Sequence, residues 1–351
     1  MLIRKTLIDC VCFVCVYNNG RYKPLGTGFF VGMPFGKPEL KNFLALVITA
    51  DHIIQKILDE RNPDKRIFLR VNTREGGVEH VHIPLENWVR PDIEDQIQNG
   101  KVDAAVCWFP GNNSPTGKYD YLLMPASDEI ADRALLAEED IGIGNEVFFA
   151  GLFIGHSETT RNEPIIRSGI IAAMPETIES GGLRQHAFLI ESRSVGGLSG
   201  SPVFASVGFW RHDEDGQLKL RTTFRTTYLI GVISGHWHAE AEIEGAIESE
   251  FVNMGIAKVT PMDKVLPLMD QCVRKFELLG AGLIIKDLVA AGKTLVDTLK
   301  FVFEEAAAAS QQGAAAAQQA VAAAQQDQST PPGSSTGQTT SPAEDPSTEI
   351  R

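Results

Sequence analysis

Short β-forming stretches recur along this chain from about residue 7 to about residue 260. They are rich in Val, Ile, Phe and Tyr, and clusters of Gly, Asn, Asp and Pro separate them. Many short strands at such spacing are typical of a β-barrel or a β-sandwich. No long helical pattern alternates with them, which argues against a doubly wound α/β fold. The predicted strands are 10–17, 28–33, 44–49, 66–71, 102–109, 146–152, 169–173, 188–191, 203–209, 218–224 and 228–234.

The charge of the chain limits its partners. It has 351 residues and a formal net charge of −13. A general nucleic-acid-binding protein would carry a basic balance or a basic stripe, so we expect no nucleic-acid partner. Attraction to an anionic membrane surface is equally disfavoured. No run of about 18 uncharged apolar residues is present, and we therefore predict no membrane span.

The cysteines indicate the redox compartment. There are five, an odd number, and no paired CxxC arrangement has further ligands downstream; they are Cys10, Cys12, Cys15, Cys107 and Cys272. We expect Cys10 and Cys12 on one strand face and Cys15 on the other. Buried free thiols behave as small apolar residues, so reduced thiols and a cytoplasmic location are predicted. The apolar start of the chain is interrupted by Asp9 and lacks a small-residue cleavage site, which favours a first strand over a secretory leader.

The character of the chain changes after the β-rich part. Thr260 can cap a helix and Pro261 suits its first position. We predict a helical extension over residues 266–310, with an apolar stripe that packs on the β body or mediates binding to a partner or a second copy. The stripe consists of Ile285, Leu288, Leu295, Leu299 and Val302. Residues 311–351 are Ala/Gln-rich and then Ser/Thr/Pro-rich, which predicts a low-complexity tail.

One segment has the composition of a nucleophile turn. Residues 196–202 read GGLSGSP and place Ser199 between glycines. Glycines let the backbone turn tightly enough to point two N–H groups at one spot. The N–H groups of Gly197 and Ser199 are the candidate donors of an oxyanion hole. Taken alone, the segment could also be an ordinary Gly/Ser loop.

Two further residues could complete an acyl-transfer site. His52 follows an apolar strand and is the candidate base, although a lone histidine is more often structural. Asp103 lies beside small apolar residues, where a carboxylate is costly to bury unless it is paired, and a histidine would be such a partner. Asp51 is a competing acid, but its position next to His52 directs it away from the ring. Nucleophile, base and orienting acid are the parts that this chemistry requires.

Together these motifs resemble those of trypsin-like serine peptidases, in the style of HtrA-type and related intracellular bacterial members. The matching segments are residues 26–31 (GTGFFV), 47–52 (VITADH), 102–106 (VDAAV), 166–172 (IRSGIIA), 197–202 (GLSGSP) and 229–235 (LIGVISG). The order His52, Asp103, Ser199 is also the order in the family.

The resemblance covers about residues 5–265 and implies a mainly β fold of two six-stranded antiparallel barrels with the active site between them. The first barrel would span about residues 1–120 and the second about 140–260, within a peptidase domain of residues 1–265. It implies a serine endopeptidase that acts on protein or peptide substrates through an acyl-enzyme and needs no cofactor or metal.

The departures from the family pattern carry further expectations. Leu198 stands where secreted members have an aspartate that pairs with a new N-terminus, so we expect no N-terminal zymogen activation. No PDZ-like module is evident after residue 265. Ser234, Gly235 and His236 resemble the strand that lines the substrate cleft.

Arg193 occupies the position that often forms the floor of the specificity pocket. With His236, it would favour an acidic residue at the cleavage position. Alternatively, Arg193 points to solvent or pairs with a nearby glutamate.

Two other functions stay open at this point. The same fold could be a catalytically inactive scaffold that binds a peptide or a protein, or the chain could act as an adaptor through its C-terminal helix. The presence of all three triad residues favours the peptidase. The pairs His80/His82 and His236/His238 would each lie on one face of a strand and could bind zinc. No further ligands lie at metal-binding spacing, so exposed strand histidines are the favoured interpretation.

Overall fold

A computed structural model describes residues 3–35, 43–59, 62, 64–111, 117–126, 129–153, 160–180, 182–192, 197–212, 215–221, 225–241 and 250–290. The chain divides into a compact unit, Met1–Leu279, and a second unit, Gly280–Arg351. The five described α-helices are α1 (Lys5–Ile8), α2 (Asp51–Leu58), α3 (Ile93–Asn99), α4 (Arg133–Glu138) and α5 (Met262–Ala290). All other regular structure among the described residues is β, apart from one 3-10 turn at Leu85–Asn87.

The first β unit is an eight-stranded sheet. Its strands are β1 (Val11–Asn18), β2 (Arg21–Pro34), β3 (Phe43–Thr49), β4 (Ile67–Asn72), β5 (Val78–Ile83), β6 (Trp88–Val89), β7 (Ala105–Trp108) and β8 (Met124–Pro125). Their order is β5-β4-β1-β2-β3-β7-β6, and β8 pairs in parallel with β2. The long antiparallel pair β2–β3 brings the end of β3 beside the start of the GTGFFV segment.

The second β unit is a closed six-stranded barrel. Its strands are β9 (Glu146–Leu152), β10 (Pro164–Ala173), β13 (Phe188–Glu191), β14 (Pro202–Ser206), β17 (Thr227–Ala241) and β18 (Glu250–Pro261). They close in the order β10-β13-β18-β17-β14-β9. Two hairpins project from this barrel: β11 (Ile178–Ser180) with β12 (Leu183–Gln185), and β15 (Trp210–His212) with β16 (Leu218–Leu220).

The predicted fold class, mainly β with two β units and a C-terminal helix, is confirmed. The first unit differs from the prediction in detail. Its described strands form an open sheet of eight strands, not a six-stranded barrel. Sequence pattern did not delimit a strand over Val78–Ile83 (VEHVHI), which has no apolar run, although it indicated that His80 and His82 lie on a strand, as they do in β5. It missed β6 and β8 because each is only two residues long.

One hydrophobic core joins the two β units. Phe29 and Leu46 of the sheet belong to the same buried cluster as Phe148 and Phe204 of the barrel. Burial of a large apolar side chain stabilises a fold by about 1.5–3 kcal/mol, so this shared cluster strongly favours the docked arrangement of the sheet and the barrel. The junction between them is therefore a rigid place to build a site.

Helix α5 completes that core. Its apolar residues recur at helical spacing on the face that packs inward. Those that are buried are Met262, Val265, Leu268, Met269 and Cys272. The helix begins at Met262, one residue after Pro261, which was predicted for its first position, because Pro261 ends β18. Most of the predicted partner-binding stripe, from Leu295 to Val302, lies outside the described residues, as does the tail of residues 311–351.

The cysteine faces required one correction. Cys12, Val14 and Val16 face one cluster, whereas Phe13 and Cys15 face the other, as expected for strand alternation. Cys10, however, belongs to the cluster of Cys15 and not to that of Cys12. The reason is that β1 begins at Val11, so Cys10 lies in the preceding turn and does not follow the strand period.

Candidate active site

His52 lies in the first turn of α2, directly after strand β3. The helix is held by an apolar face, with Ile53, Ile54 and Ile57 all buried. Asp51, only 1% exposed, accepts hydrogen bonds from Arg90 and from Gln55 Nε2, the latter at 2.7 Å. The carboxylate of Asp51 is therefore occupied in fixing the helix, as its predicted direction away from the His52 ring requires.

Asp103 holds His52 at two points. Asp103 Oδ2 lies 2.8 Å from His52 Nδ1, and Asp103 Oδ1 accepts a hydrogen bond of 2.8 Å from the backbone N–H of His52. The Asp103 side chain is buried, and the residue is only 2% exposed. An ionised carboxylate only accepts hydrogen bonds, so the proton of this contact belongs to Nδ1, and Nε2 is left as an acceptor.

The surroundings of Asp103 favour its charged form. Burial alone would raise its pKa, but the hydrogen bonds and charge of His52, together with the charge of Lys101, outweigh burial and hold the pKa below its usual value. Thr260 Oγ1 also donates a hydrogen bond of 3.2 Å to the backbone carbonyl of Asp103. Thr260 was predicted to cap α5, but its hydroxyl bonds to the segment that carries Asp103, just before β7.

Ser199 lies in a tight turn directly before β14 of the barrel. Gly197 and Gly200 have φ angles of +99° and +85°, which L-residues with side chains rarely adopt. The turn is closed by a hydrogen bond of 3.0 Å from Ser201 N–H to Leu198 O. Gly200 N–H donates to Ile233 O at 2.7 Å, which ties the turn to β17. A Cβ on Gly200 would overlap the carbonyl oxygen of Thr27, so only glycine fits there.

Thr27 joins the two β units at this point. Its N–H donates to Ser199 O at 2.8 Å, and its hydroxyl donates to Gly197 O at 2.8 Å. The same hydroxyl accepts from Leu152 N–H at 3.1 Å, and Thr27 O accepts from Thr49 Oγ1 at 2.7 Å. Thr27 therefore connects the serine turn to β3, the strand that leads into His52.

The serine turn also lies beside α2. A Cβ built on Gly26 would be 2.9 Å from Ser199 O and would overlap Ile53 Cδ1, the residue after His52. The structure thus brings the His52–Asp103 pair and the Ser199 turn to one junction. Between these three residues, the hydrogen bonds present are those from His52 to Asp103, and none joins Ser199 Oγ to the His52 ring.

The two candidate oxyanion donors are available for a ligand. Among the described residues, no group accepts a hydrogen bond from the N–H of Gly197 or of Ser199. Leu198, between them, is fully buried in the barrel core, which anchors the turn. Two neighbouring N–H donors on an anchored turn can stabilise an oxygen that develops negative charge.

The structure describes three of the four predicted substrate-binding residues, Ser234, Gly235 and His236. Arg193 lies outside the described residues. Ser234 is buried, and its hydroxyl donates to Lys258 O at 3.2 Å and accepts from Gln185 Nε2 at 3.2 Å. Gly235 and His236 follow it on β17, and His236 is half-buried.

The structure adds residues that sequence reasoning did not select. Thr27 lies in a motif quoted for the resemblance, but nothing in that motif indicates a hydrogen bond to a residue about 170 positions away. Lys101 and Lys258 lie near Asp103. The charge of Lys101 lowers the pKa of Asp103, and the charge of Asp103 opposes the lowering of the Lys258 pKa by burial. The spacing of Lys101, two residues before Asp103, was the only available signal.

The histidines that were considered as zinc ligands have other surroundings. The His80 ring stacks on Tyr22 with a centroid distance of 3.8 Å. Burial, with a smaller contribution from Arg70, lowers the pKa of His80 to about 4. The His238 side chain lies outside the described part of the chain. No group of three potential metal-binding side chains occurs among the residues that the structure describes.

A sheet and a closed barrel that meet around a histidine–aspartate pair and a serine turn give this protein a chymotrypsin-like fold. No protein-family model matches the chain. Similar solved structures include the MamO protease domain from Magnetospirillum magneticum in its apo form, at 15% identity, covering 75% of this chain and 97% of that chain with a TM-score of 0.41.

Two further similar structures are Deg5 and a variant of the HtrA-type protease AlgW with a tripeptide. Deg5 is 17% identical and covers 75% of this chain and 88% of its own, with a TM-score of 0.40. The AlgW variant is 15% identical and covers 76% of this chain and 61% of its own, with a TM-score of 0.40. At these identities the likeness concerns the fold alone. No described helix is long and apolar enough to cross a membrane.

Proposed function

We propose that this protein is a serine endopeptidase that cleaves protein or peptide substrates. The observation that carries the proposal is the two-point contact of buried Asp103 with His52, next to the Ser199 turn. A carboxylate that fixes Nδ1–H leaves Nε2 directed to accept a proton, which is what a general base for a serine hydroxyl requires.

The proposed reaction uses each residue in one role. Ser199 Oγ attacks the carbonyl carbon of the scissile bond while His52 Nε2 takes the hydroxyl proton. The N–H groups of Gly197 and Ser199 stabilise the oxyanion, and Asp103 stabilises the imidazolium. The imidazolium then protonates the leaving amine. Water hydrolyses the acyl-enzyme by the same steps, which restores the Ser199 hydroxyl and neutral His52.

Two features of regulation and specificity belong to the proposal. Leu198 is buried and apolar and so offers no acceptor for a newly formed N-terminus, which supports activity without N-terminal zymogen processing. Arg193 and His236 stay the proposed contacts for the residue at the cleavage position, with a preference for an acidic side chain. The cleft strand with Ser234 and Gly235 would support the substrate backbone.

The proposed organisation extends to the whole chain. We propose a peptidase domain over residues 1–265, a helical extension over residues 266–310 that could bind a partner or a second copy, and a tail over residues 311–351. A cytoplasmic location is proposed as well. The support for it is that all five cysteines are free and buried.

A second candidate is a peptide-binding scaffold without turnover. It is favoured by one observation: no hydrogen bond links Ser199 Oγ to His52. In unliganded enzymes such bonds are often long and tighten only when substrate is bound, so the peptidase stays the first proposal.

Labelling with a fluorophosphonate probe separates the two candidates. We expect covalent labelling of the full chain and peptide cleavage, both abolished in Ser199→Ala. On the precedent of other serine peptidases, removal of the nucleophile lowers kcat by about a million-fold. Ser201→Ala is the matched control, since it removes a neighbouring hydroxyl and should keep labelling. A folded wild type that neither reacts with the probe nor cleaves peptides would establish the scaffold instead.

A further inference from the structure

Among the described strands, β17 has an unpaired edge beside the Ser199 turn. As far as Val232, β17 lies between β14 and β18, and Pro202–Val232 is the last pair with β14. From Ser234 onward, the described strands pair only with its β18 side. Because the Ser199 turn is bonded to Ile233 O, this open edge starts where the nucleophile lies. An extended peptide can add to such an edge as a further strand.

Lys258 reaches over this edge from the neighbouring strand. It pairs with Gly235, and a Cβ on Gly235 would lie 3.5 Å from Lys258 Cε and 3.9 Å from Lys258 Nζ. Neighbouring strands are about 4.8 Å apart, so an added peptide would be about two such spacings from β18. These distances place the Lys258 side chain alongside Gly235 of β17, next to the position that an added strand would take.

Among the described residues, the ammonium of Lys258 contacts a neutral hydroxyl and no carboxylate. Lys258 is half-buried, and its hydrogen bond is to a neutral group, Ser180 Oγ, at 2.9 Å. No carboxylate among the described residues lies within ion-pair distance of Lys258 or of Lys101. Burial lowers the pKa of Lys258, with the charge of Asp103 opposing this change and that of Lys101 adding to it. An ammonium can donate three hydrogen bonds, so this group can still bind an anion.

Lys101 places a second positive charge in the same region. Its backbone is fixed against the β11–β12 hairpin by hydrogen bonds of 2.8 Å from its N–H to Arg184 O and 2.9 Å to its carbonyl from His186 N–H. Ser180, the partner of Lys258, belongs to that hairpin. The hairpin therefore contacts both lysines, through the backbone of Lys101 and the side chain of Lys258. Lys101 and Lys258 therefore supply two positive charges near Asp103, to which a carboxylate of a ligand could bind.

We propose that Lys258, supported by Lys101, forms a substrate subsite that binds an acidic side chain of an extended peptide, about two to four residues from the bond that is cleaved. The inference rests on the proposed endopeptidase function and deepens it. It is separate from Arg193 and His236, which concern the residue at the cleavage position.

Cleavage of a peptide library by the full chain tests this subsite. We expect wild type to enrich Asp and Glu at one position away from the cleaved bond. Lys258→Met should remove that enrichment and lower kcat/KM about tenfold more for the acidic peptides than for neutral peptides. Lys258→Glu should enrich Lys and Arg at the same position, and Lys258→Arg should keep the preference for acids.

Lys118→Met is the matched control. Lys118 is exposed and pairs with Glu79 on the first sheet, so its loss should leave the cleavage profile unchanged. Cleavage without acidic enrichment, or an enrichment that persists in Lys258→Met, would overturn the subsite and leave the endopeptidase intact. Absence of both cleavage and fluorophosphonate labelling in wild type would overturn the endopeptidase and the subsite with it. If Lys258→Met does not fold, the wild-type and Lys258→Arg profiles decide the question.

Discussion

The two β units hold their parts of the candidate site by different means. The sheet fixes side chains, since Asp103 binds His52 at both the ring and the backbone N–H. The Ser199 turn is held instead by backbone hydrogen bonds to Thr27 and Ile233 and by the Leu198 side chain, which is buried in the barrel core. The base is therefore preformed, whereas no hydrogen bond among the described residues holds the Ser199 hydroxyl. Contact between the two therefore requires rotation of the Ser199 hydroxyl toward the fixed His52 ring.

The largest expected effect comes from breaking the rigid side. Asp103→Asn keeps the size of the side chain, but its amide can donate to the ring and then favours the wrong tautomer of His52. We expect kcat for peptide hydrolysis to fall by about 10⁴-fold, as with the corresponding change in other serine peptidases. Binding of peptide to a Ser199→Ala background should be unchanged by Asp103→Asn. A loss of less than about tenfold would show that Asp103 does not set the tautomer.

An intermediate effect is expected from the link between the two sides. Thr27→Val removes the hydroxyl that donates to Gly197 O and accepts from Leu152 N–H, which leaves two buried polar groups without that partner. We expect a loss of about 2 kcal/mol in the free energy of unfolding, measured with urea. Because Gly197 belongs to the serine turn, kcat should also fall by about tenfold, with a smaller change in KM.

Thr49→Val is the control for this second prediction. It removes a buried hydroxyl that also donates to a carbonyl, Thr27 O, but lies on the histidine side of the link. It should cost a similar stability with a smaller effect on kcat, and Thr27→Ser should restore both quantities. Equal losses of kcat in the two valine variants would mean that the serine turn does not depend on the Thr27 hydroxyl.

The smallest effect concerns the pH dependence of stability. The pKa of Asp103 is depressed in the folded protein, so its ionised form stabilises the fold above its ordinary pKa, and this contribution is lost as the pH falls through the folded value. The difference in unfolding free energy between wild type and Asp103→Asn should thus be constant from about pH 7 to about pH 5 and shrink toward about pH 3. Urea titrations at each pH measure it. A difference that grows on acidification would contradict the direction of the shift.

Sequence pattern predicted the strands that consist of apolar runs. Strand β3 and the following His52 are an example, because a buried strand that ends in a turn leaves a strong hydrophobic signal. Strand β18 was not predicted, since Glu250, Asn253 and Lys258 interrupt its apolar residues. Its role depends on pairing with β17 and β13, which are distant in the chain.

The candidate site was predictable only as a set of residue types. His52, Asp103 and Ser199 stand out through their motifs, but Thr27 and Thr260 act through hydrogen bonds that span 170 and 157 residues. Local spacing contains no information about such contacts. The same holds for Lys258, which the pairing of β17 with β18 brings beside Gly235. Pattern therefore finds groups that react, whereas the groups that hold them are visible only after folding.

The complete burial of the thiols has a practical consequence for chemical labelling. All five cysteines are inaccessible, and burial raises their pKa values, to about 12 for Cys10, Cys15 and Cys272. Thiolate is the reactive species, so the folded protein offers almost no competing sulfur to an electrophile. Thiol modification would consequently report unfolding of this chain, and an electrophile that reacts with the native form can be assigned to a hydroxyl or an amine.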